Sequence, residues 1–278
     1  MKRDIIGRYA EVQGHRLYLD TAGGSSGRPM LLIHTAGQQS LQWRFVIPYF
    51  AERGFYALAP DLPGHGKSLL NQFKPITSIH AFAEILWELL RSLQLDPPVV
   101  VGCSIGGDIA LDLAVHHGSQ IPAVVACQSA AYTPTFPPQA IEMGLEDSGV
   151  PSYSDQGYLS GLSACGSKAE KERVAEIVWT RRFGDPKIYY SDLIGWIRHD
   201  LRPHLSKVSC PVLCVWGNED YFVPRPLVEE TVAGIPNARL EILDGIGHYP
   251  HIETPEFNPL VERFLHSLGI SGGKGPEK

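Results

Sequence analysis

Hydrophobic positions along this chain follow two alternating rhythms. Short apolar runs at residues 30–33, 55–59, 99–101, 123–127, 212–216 and 240–243 read as strands buried in a sheet. Between them lie stretches of helical spacing. Ile79, Phe82, Ile85, Leu86, Leu89, Leu90 and Leu93 mark one face of an amphipathic helix over residues 78–93. Residues 108–117 give a second helix, closed by Gly118, and residues 227–233 a third, with Pro226 suited to its first turn. Thr254 reads as the cap of a last helix, with Pro255 at its first position, Phe257, Leu260, Val261, Phe264 and Leu265 on its apolar face and Gly269 at its end. Residues 41–50 have helical character that Pro48 would kink or restrict to short turns. At the start, residues 8–12 and 16–19 flank Gln13-Gly14 and predict an antiparallel hairpin. Regular alternation of strand and helix predicts an α/β fold, a mostly parallel twisted sheet with helices on both faces.

The rhythm breaks near Ala130. Pro134, Pro137 and Pro138 open a stretch with no strand-like run until Pro211, in which residues 168–183 and 188–198 read as helices. This predicts a core of residues 1–131 and 207–270, a mostly helical insertion at 132–206 lying over the sheet, and a polar, Gly-rich disordered tail at 271–278. Apolar and aromatic residues of the insertion, Tyr158, Leu162, Trp179, Tyr189, Leu193 and Trp196 among them, are candidates to line a pocket or to pack the insertion's own core.

The chemistry gathers after the run Val99-Val100-Val101. There the chain reads Gly102-Cys103-Ser104-Ile105-Gly106, a G-x-S-x-G spacing between a strand and a helix. Glycines on either side permit a tight turn that lifts the Ser104 hydroxyl off the sheet edge. The amides opening the next helix lack intrahelical partners and can face a developing negative charge. Gly66-Lys67-Ser68 resembles the end of a phosphate-binding loop, but Asp61 stands where that motif needs glycine, so nucleotide binding is rejected.

Composition narrows the field further. The chain has 278 residues, 44% of them apolar, enough for a substantial core, and 19% charged. Its net charge is −6 with no basic run, which argues against nucleic acid as a partner. No apolar stretch is long enough for a membrane span, and the first residues do not read as a signal peptide. Five cysteines with no framework spacing point to a reducing compartment and a cytoplasmic protein. No H-E-x-x-H or paired-cysteine pattern occurs, and His116 and His117, adjacent at a helix end, point apart, so neither metal nor cofactor is expected.

Serine needs a base, and the base a partner that fixes its tautomer. Ser104, Asp220 and His248 each follow a predicted strand, which puts them on one edge of a parallel sheet. Their order, serine, acid, histidine, is the one used by α/β-hydrolases. The sequence resembles that superfamily through Leu31-Leu32-Ile33-His34, Pro60-Asp61-Leu62-Pro63-Gly64-His65-Gly66, residues 102–107, Trp216-Gly217-Asn218-Glu219-Asp220, and Gly247-His248 with Pro250-His251-Ile252-Glu253. The resemblance covers nearly the whole chain outside the insertion and tail. It implies Ser104 as nucleophile, His248 as general base, Asp220 as acid, and the insertion as a cap.

Glu219 is a rival for the acid and His251 for the base; the family pattern favours Asp220 and His248. His34 is expected to order its loop and His65 to be structural. The resemblance puts the oxyanion hole at the amides of Ile105 and Ala36. Many relatives carry glycine after the histidine, whereas this chain has Thr35, which disfavours positive φ, so either the loop needs none or its geometry differs. The Thr35 hydroxyl can itself donate to substrate. Thr35, Trp179, Trp196 and Tyr249 are the candidate substrate-binding residues.

The expected activity is hydrolysis of a small carboxylic ester or lactone through an acyl-enzyme on Ser104. Relatives that act on carbon–halogen bonds or epoxides carry Asp at the elbow and are excluded by Ser104. Carbon–carbon hydrolases of the fold keep serine, but their usual Trp after the catalytic His is replaced by Tyr249-Pro250. A polar insertion residue over Ser104, able to hold a second carbonyl, would favour them. A non-catalytic small-molecule receptor is the third reading. The oligomeric state is open, a homodimer included.

Overall fold

The computed structural model describes residues 4–134, 138–146 and 153–273. Pro137 and residues 274–278 of the expected tail lie outside the described residues. Eight strands form one sheet: β1 (Ile6–Val12), β2 (His15–Ala22), β3 (Arg28–Ile33), β4 (Phe55–Pro60), β5 (Val99–Cys103), β6 (Val124–Cys127), β7 (Val212–Gly217) and β8 (Ala238–Leu243). Their order is β1-β2-β4-β3-β5-β6-β7-β8. β1 and β2 are the expected hairpin, turning at Gln13 and Gly14, both with positive φ. β2 runs antiparallel to β4; every later pairing is parallel.

Period-two alternation divides the parallel strands between two cores. Leu31, Ile33, Leu58, Val100 and Val124 face one side. Met30, Leu32, Ala57, Val99, Val101 and Val125 face the other. Helices α1 (Ile47–Glu52), α2 (Ile79–Ser92) and α3 (Ile105–His117) join the first strands, α1 on the second core and α2 and α3 on the first. Ser78 caps α2 through the Ala81 amide.

Between β6 and β7 come α4 (Pro138–Glu146), α5 (Tyr153–Ser163), α6 (Lys171–Trp179) and α7 (Pro186–Arg198). α6 and α7 answer the two expected helices. The helix expected through 183 ends earlier, with Thr180–Phe183 as a 3₁₀ turn. α4 and α5 went unread in the sequence; glycines inside them, Gly144 in α4 and Gly157 and Gly161 in α5, lower the helical signal. Then follow α8 (Arg225–Gly234), α9 (Pro250–Glu253) and α10 (Phe257–Ser267).

Of the two outcomes expected at Pro48, a kink or short turns, the structure has the second: residues 41–50 divide into a 3₁₀ turn at Ser40–Trp43 and α1, with Pro48 in the first turn, where a missing N–H costs nothing. Two local expectations are corrected. Thr254 does not cap the last helix; Glu256 takes the N-cap position of α10, and Thr254 Oγ1 accepts only the Glu256 amide. The tail begins docked, since Arg28 Nε donates to the Ser271 carbonyl at 2.8 Å and Gly272 lies against Arg53 and Gly54. Among the described residues no helix is long and apolar enough to cross a membrane.

Candidate active site

Ser104 sits between β5 and α3 with φ 56° and ψ −125°, a left-handed conformation costly for a residue with a Cβ. Neighbouring glycines make the turn possible. A Cβ on Gly102 would stand 1.9 Å from the Gly106 carbonyl oxygen, and one on Gly106 2.2 Å from that of Ile33. The chain therefore crosses itself where only bare backbone fits. The Ser104 amide donates to the Cys127 carbonyl, holding the turn to β6. Cys103 Sγ donates to the His248 carbonyl at 3.3 Å; burial pushes this thiol's pKa well up, and it serves as a packing group.

After β7, Asp220 is buried. Its Oδ2 stands 3.0 Å from His248 Nδ1, and its Oδ1 accepts the Phe222 amide at 2.8 Å. Glu219, the rival acid, turns away and accepts the amide and hydroxyl of Ser167. The rival base is excluded in the same way. His251 stacks on Trp43 at 4.1 Å, both its ring nitrogens lack partners among the described residues, and burial lowers its pKa to about 3.

A carboxylate with no role assigned from the sequence holds the histidine loop. Glu253 accepts the amides of Gly166 at 2.8 Å, Gly247 at 2.7 Å and Tyr249 at 2.7 Å, which fixes the backbone on both sides of His248. Burial raises its pKa, and the three N–H donors oppose that rise. Gln128 adds a side-chain bond to the Gly247 carbonyl, and the His248 amide donates to Ala164 in the insertion.

The loop after β3 resolves the question posed by Thr35. Thr35 keeps a negative φ, and the positive φ of this turn falls on Gly37. The Thr35 amide donates to Gln42 Oε1 at 3.0 Å, and Gln42 Nε2 donates to Thr35 Oγ1 at 3.1 Å. Gly37 N donates to Asp192 Oδ2 and Gln38 N to the Thr35 carbonyl. Of the amides at 35–38, the one left unengaged among the described residues is that of Ala36. His34 orders this loop: Nδ1 is 2.8 Å from the Thr35 carbonyl, and Nε2 accepts the Leu62 amide. Burial, then its neighbour His65, holds its pKa well below the usual range, so it stays neutral.

These elements converge on a narrow cavity that opens to solvent. The core contributes Thr35, Ala36, Ser104, Ile105, Phe222, His248 and Tyr249. The insertion contributes Arg181, Tyr189, Leu193 and Trp196. Thus Thr35, Trp196 and Tyr249 are brought together with the serine and histidine, and Trp179 is not. Trp179 is 47% exposed on the outer side, beside Tyr158, Phe183 and Arg182. Arg181 and Phe222 had no sequence signal, since only the fold of the insertion and the Asp220 loop brings them here. Arg181 Nη1 donates to Tyr249 Oη at 2.8 Å, and the Phe222 ring lies 4.8 Å from that of His248. Ser104 Oγ and His248 share the cavity without a direct hydrogen bond among the described contacts; such bonds often tighten only when substrate is engaged.

A family model described as the α/β hydrolase fold matches residues 28–255. The pimeloyl-[acyl-carrier protein] methyl ester esterase of Vibrio vulnificus is 26% identical over 93% of this chain and 98% of its own. Among solved structures, the enol-lactonase from Burkholderia xenovorans LB400 superposes with a TM-score of 0.81 at 23% identity, covering 93% of this chain and all of that one. An enzyme described as degrading N-acyl homoserine lactones superposes with a TM-score of 0.76 at 27% identity, covering 92% of this chain and all of that one.

Proposed function

The chain belongs to the α/β hydrolase fold family, and from that premise we propose that it is a serine hydrolase of small carboxylic esters or lactones, working through an acyl-enzyme on Ser104. The observation that carries this reading is the Asp220–His248 contact of 3.0 Å beside a strained serine in one shared cavity. With Nδ1–H of His248 donated to Asp220, Nε2 is the unprotonated nitrogen and serves as general base.

In this mechanism His248 Nε2 takes the Ser104 proton as Oγ bonds to the carbonyl carbon. The carbonyl oxygen becomes an oxyanion held by the amides of Ile105 and Ala36. One such donor is typically worth about 10²–10³ in rate. His248 then returns the proton to the leaving alkoxide as the C–O bond breaks. Water, deprotonated by the same nitrogen, attacks the acyl-enzyme; its proton passes to Ser104 as the acid departs. Thr35 Oγ accepts from Gln42, which leaves its own proton free to donate to substrate. The insertion acts as the cap, closing the cavity with Tyr189, Leu193 and Trp196 and presenting Arg181 to a polar or anionic group of the substrate. Names of relatives that cleave a methyl ester and lactones support this substrate class. Free thiols at all five cysteines suit a reducing compartment such as the cytoplasm.

Arg181 also favours a second reading. It is a polar insertion residue bordering the same cavity as Ser104, the feature a carbon–carbon hydrolase needs to hold a second carbonyl. Product analysis separates the two: short esters and lactones against a vinylogous diketone, each with wild type and Ser104→Ala. Turnover of esters or lactones that vanishes with Ser104→Ala supports the main reading. Diketone cleavage alone supports the second, and equal ester turnover by the mutant contradicts both.

A further inference from the structure

On the flank of the molecule, away from the cavity, three potential metal ligands from two helices converge. Asp112 and His116 lie one turn apart on α3, and His80 comes from the first turn of α2. Asp112 Oδ1 stands 2.8 Å from His80 Nδ1 and 3.1 Å from His116 Nδ1. One potential ligand atom from each residue lies within 4.8 Å of the others. His80 belongs to another helix, so no local spacing in the sequence could announce the cluster.

We infer that His80, Asp112 and His116 form a binding site for a divalent transition-metal ion such as zinc. Two imidazole nitrogens and one carboxylate oxygen are a donor set that suits zinc, and three protein ligands leave a position for water. The geometry is close to what the ion needs. Zinc–ligand bonds of about 2.1 Å at a tetrahedral angle set ligand atoms about 3.4 Å apart. His80 Nδ1 therefore has to draw back from Asp112 Oδ1 by about 0.6 Å and His116 Nδ1 by about 0.3 Å, from a starting cluster whose ligand atoms lie within 4.8 Å of one another. The Asp112 carboxylate is fixed, its side chain being 2% exposed, whereas the rings of His80 and His116 reach solvent and can adjust.

Coordination requires an unprotonated Nδ1 on each ring. His116 Nδ1 also lies 2.9 Å from the Asp112 carbonyl oxygen, a contact the partly exposed ring has to turn away from to hold an ion. Each ring either shifts an Nδ1 proton to Nε2 or, if cationic, releases it to solvent, so uptake liberates protons only from charged rings. A further imidazole borders the cluster. His199, just past the C-terminus of α7, interacts electrostatically with Asp112, His80 and His116, and its buried Nε2 has no partner among the described residues. The site is separate from the catalytic centre, since Asp112 lies eight residues beyond Ser104 on α3, about 12 Å along the helix axis. An ion there would clip α2 to α3.

The test uses the full chain stripped with a chelator and titrated with zinc chloride near neutral pH, followed by calorimetry and native mass spectrometry. The expected result is one zinc per chain, with affinity falling at least about tenfold in His80→Ala and further in the His80→Ala/His116→Ala pair. Added zinc should raise the unfolding temperature of the wild type and leave that of the double variant unmoved. Both histidines are partly exposed, so the variants should fold, which circular dichroism checks. Cobalt gives an independent readout through its tetrahedral absorption bands. Absence of stoichiometric uptake by the wild type, or equal uptake by the double variant, overturns the inference. Neither result bears on ester hydrolysis.

Discussion

At Ser104 the backbone holds a side chain where glycine would rest more easily. That strain has a measurable consequence. Ser104→Gly should abolish turnover yet stabilise the fold by about 1 kcal/mol or more, read as a higher urea midpoint. Asp220 acts through His248. Asp220→Asn would reverse the imidazole tautomer and should lower kcat by about 10⁴-fold, as loss of the acid does in other triads. Glu253 is a positioning residue, since its carboxylate accepts only backbone amides among the described contacts, two of them flanking His248 and the third that of Gly166. Glu253→Gln would present an NH₂ to amides that need an acceptor, displacing His248. A shift of about 1 Å costs about 10²-fold, so kcat should fall about that far with KM little changed. Equal loss in both constants would point to general damage. Ser104, Asp220 and His248 were legible because each follows a strand within a recognisable motif. Glu253 stood inside a quoted motif, but its role rests on three amides that only the folded loop brings together.

Among the elements, the sheet was the most legible part, because buried parallel strands such as β5 and β7 are continuous apolar runs bounded by loops. The insertion was the least legible. α6 and α7 were read, but Gly144, Gly157 and Gly161 interrupt α4 and α5, which were missed, and Trp179 was assigned to a cavity it does not reach. The element that decides catalysis is the β5–α3 crossing. With the Gly102 position 1.9 Å from a carbonyl oxygen once a Cβ is added, Gly102→Ala should cost at least about 3 kcal/mol and leave little soluble protein, a check made by expression and thermal melting.

On the scale of the whole molecule, one buried ion pair ties core to insertion. His65 Nε2 lies 2.7 Å from Asp192 Oδ2, with both side chains essentially inaccessible, and the same oxygen accepts the Gly37 amide beside Ala36. The pair thus couples α7 to the loop that carries the Ala36 amide, the second oxyanion donor of the proposed mechanism. Burial lowers the His65 pKa, but attraction to Asp192 outweighs it and the net shift is upward. A raised histidine contributes stability that is fully present below its unfolded pKa of about 6.5 and fades as pH rises through the folded value. Wild-type urea midpoints should accordingly fall with rising pH over that window. Asp192→Asn should reduce the dependence, leaving the share that the raised His80 contributes through Asp112, and cost about 3–5 kcal/mol. The sequence marked His65 as structural; its partner, 127 residues away, was beyond any local pattern.

The central claim is an activated Ser104, and intact-protein mass spectrometry after a serine-directed phosphonofluoridate probe tests it most directly. The account predicts one adduct on the wild type and none on Ser104→Ala. A folded wild type that takes no adduct, or a mutant that takes the same one, would contradict it.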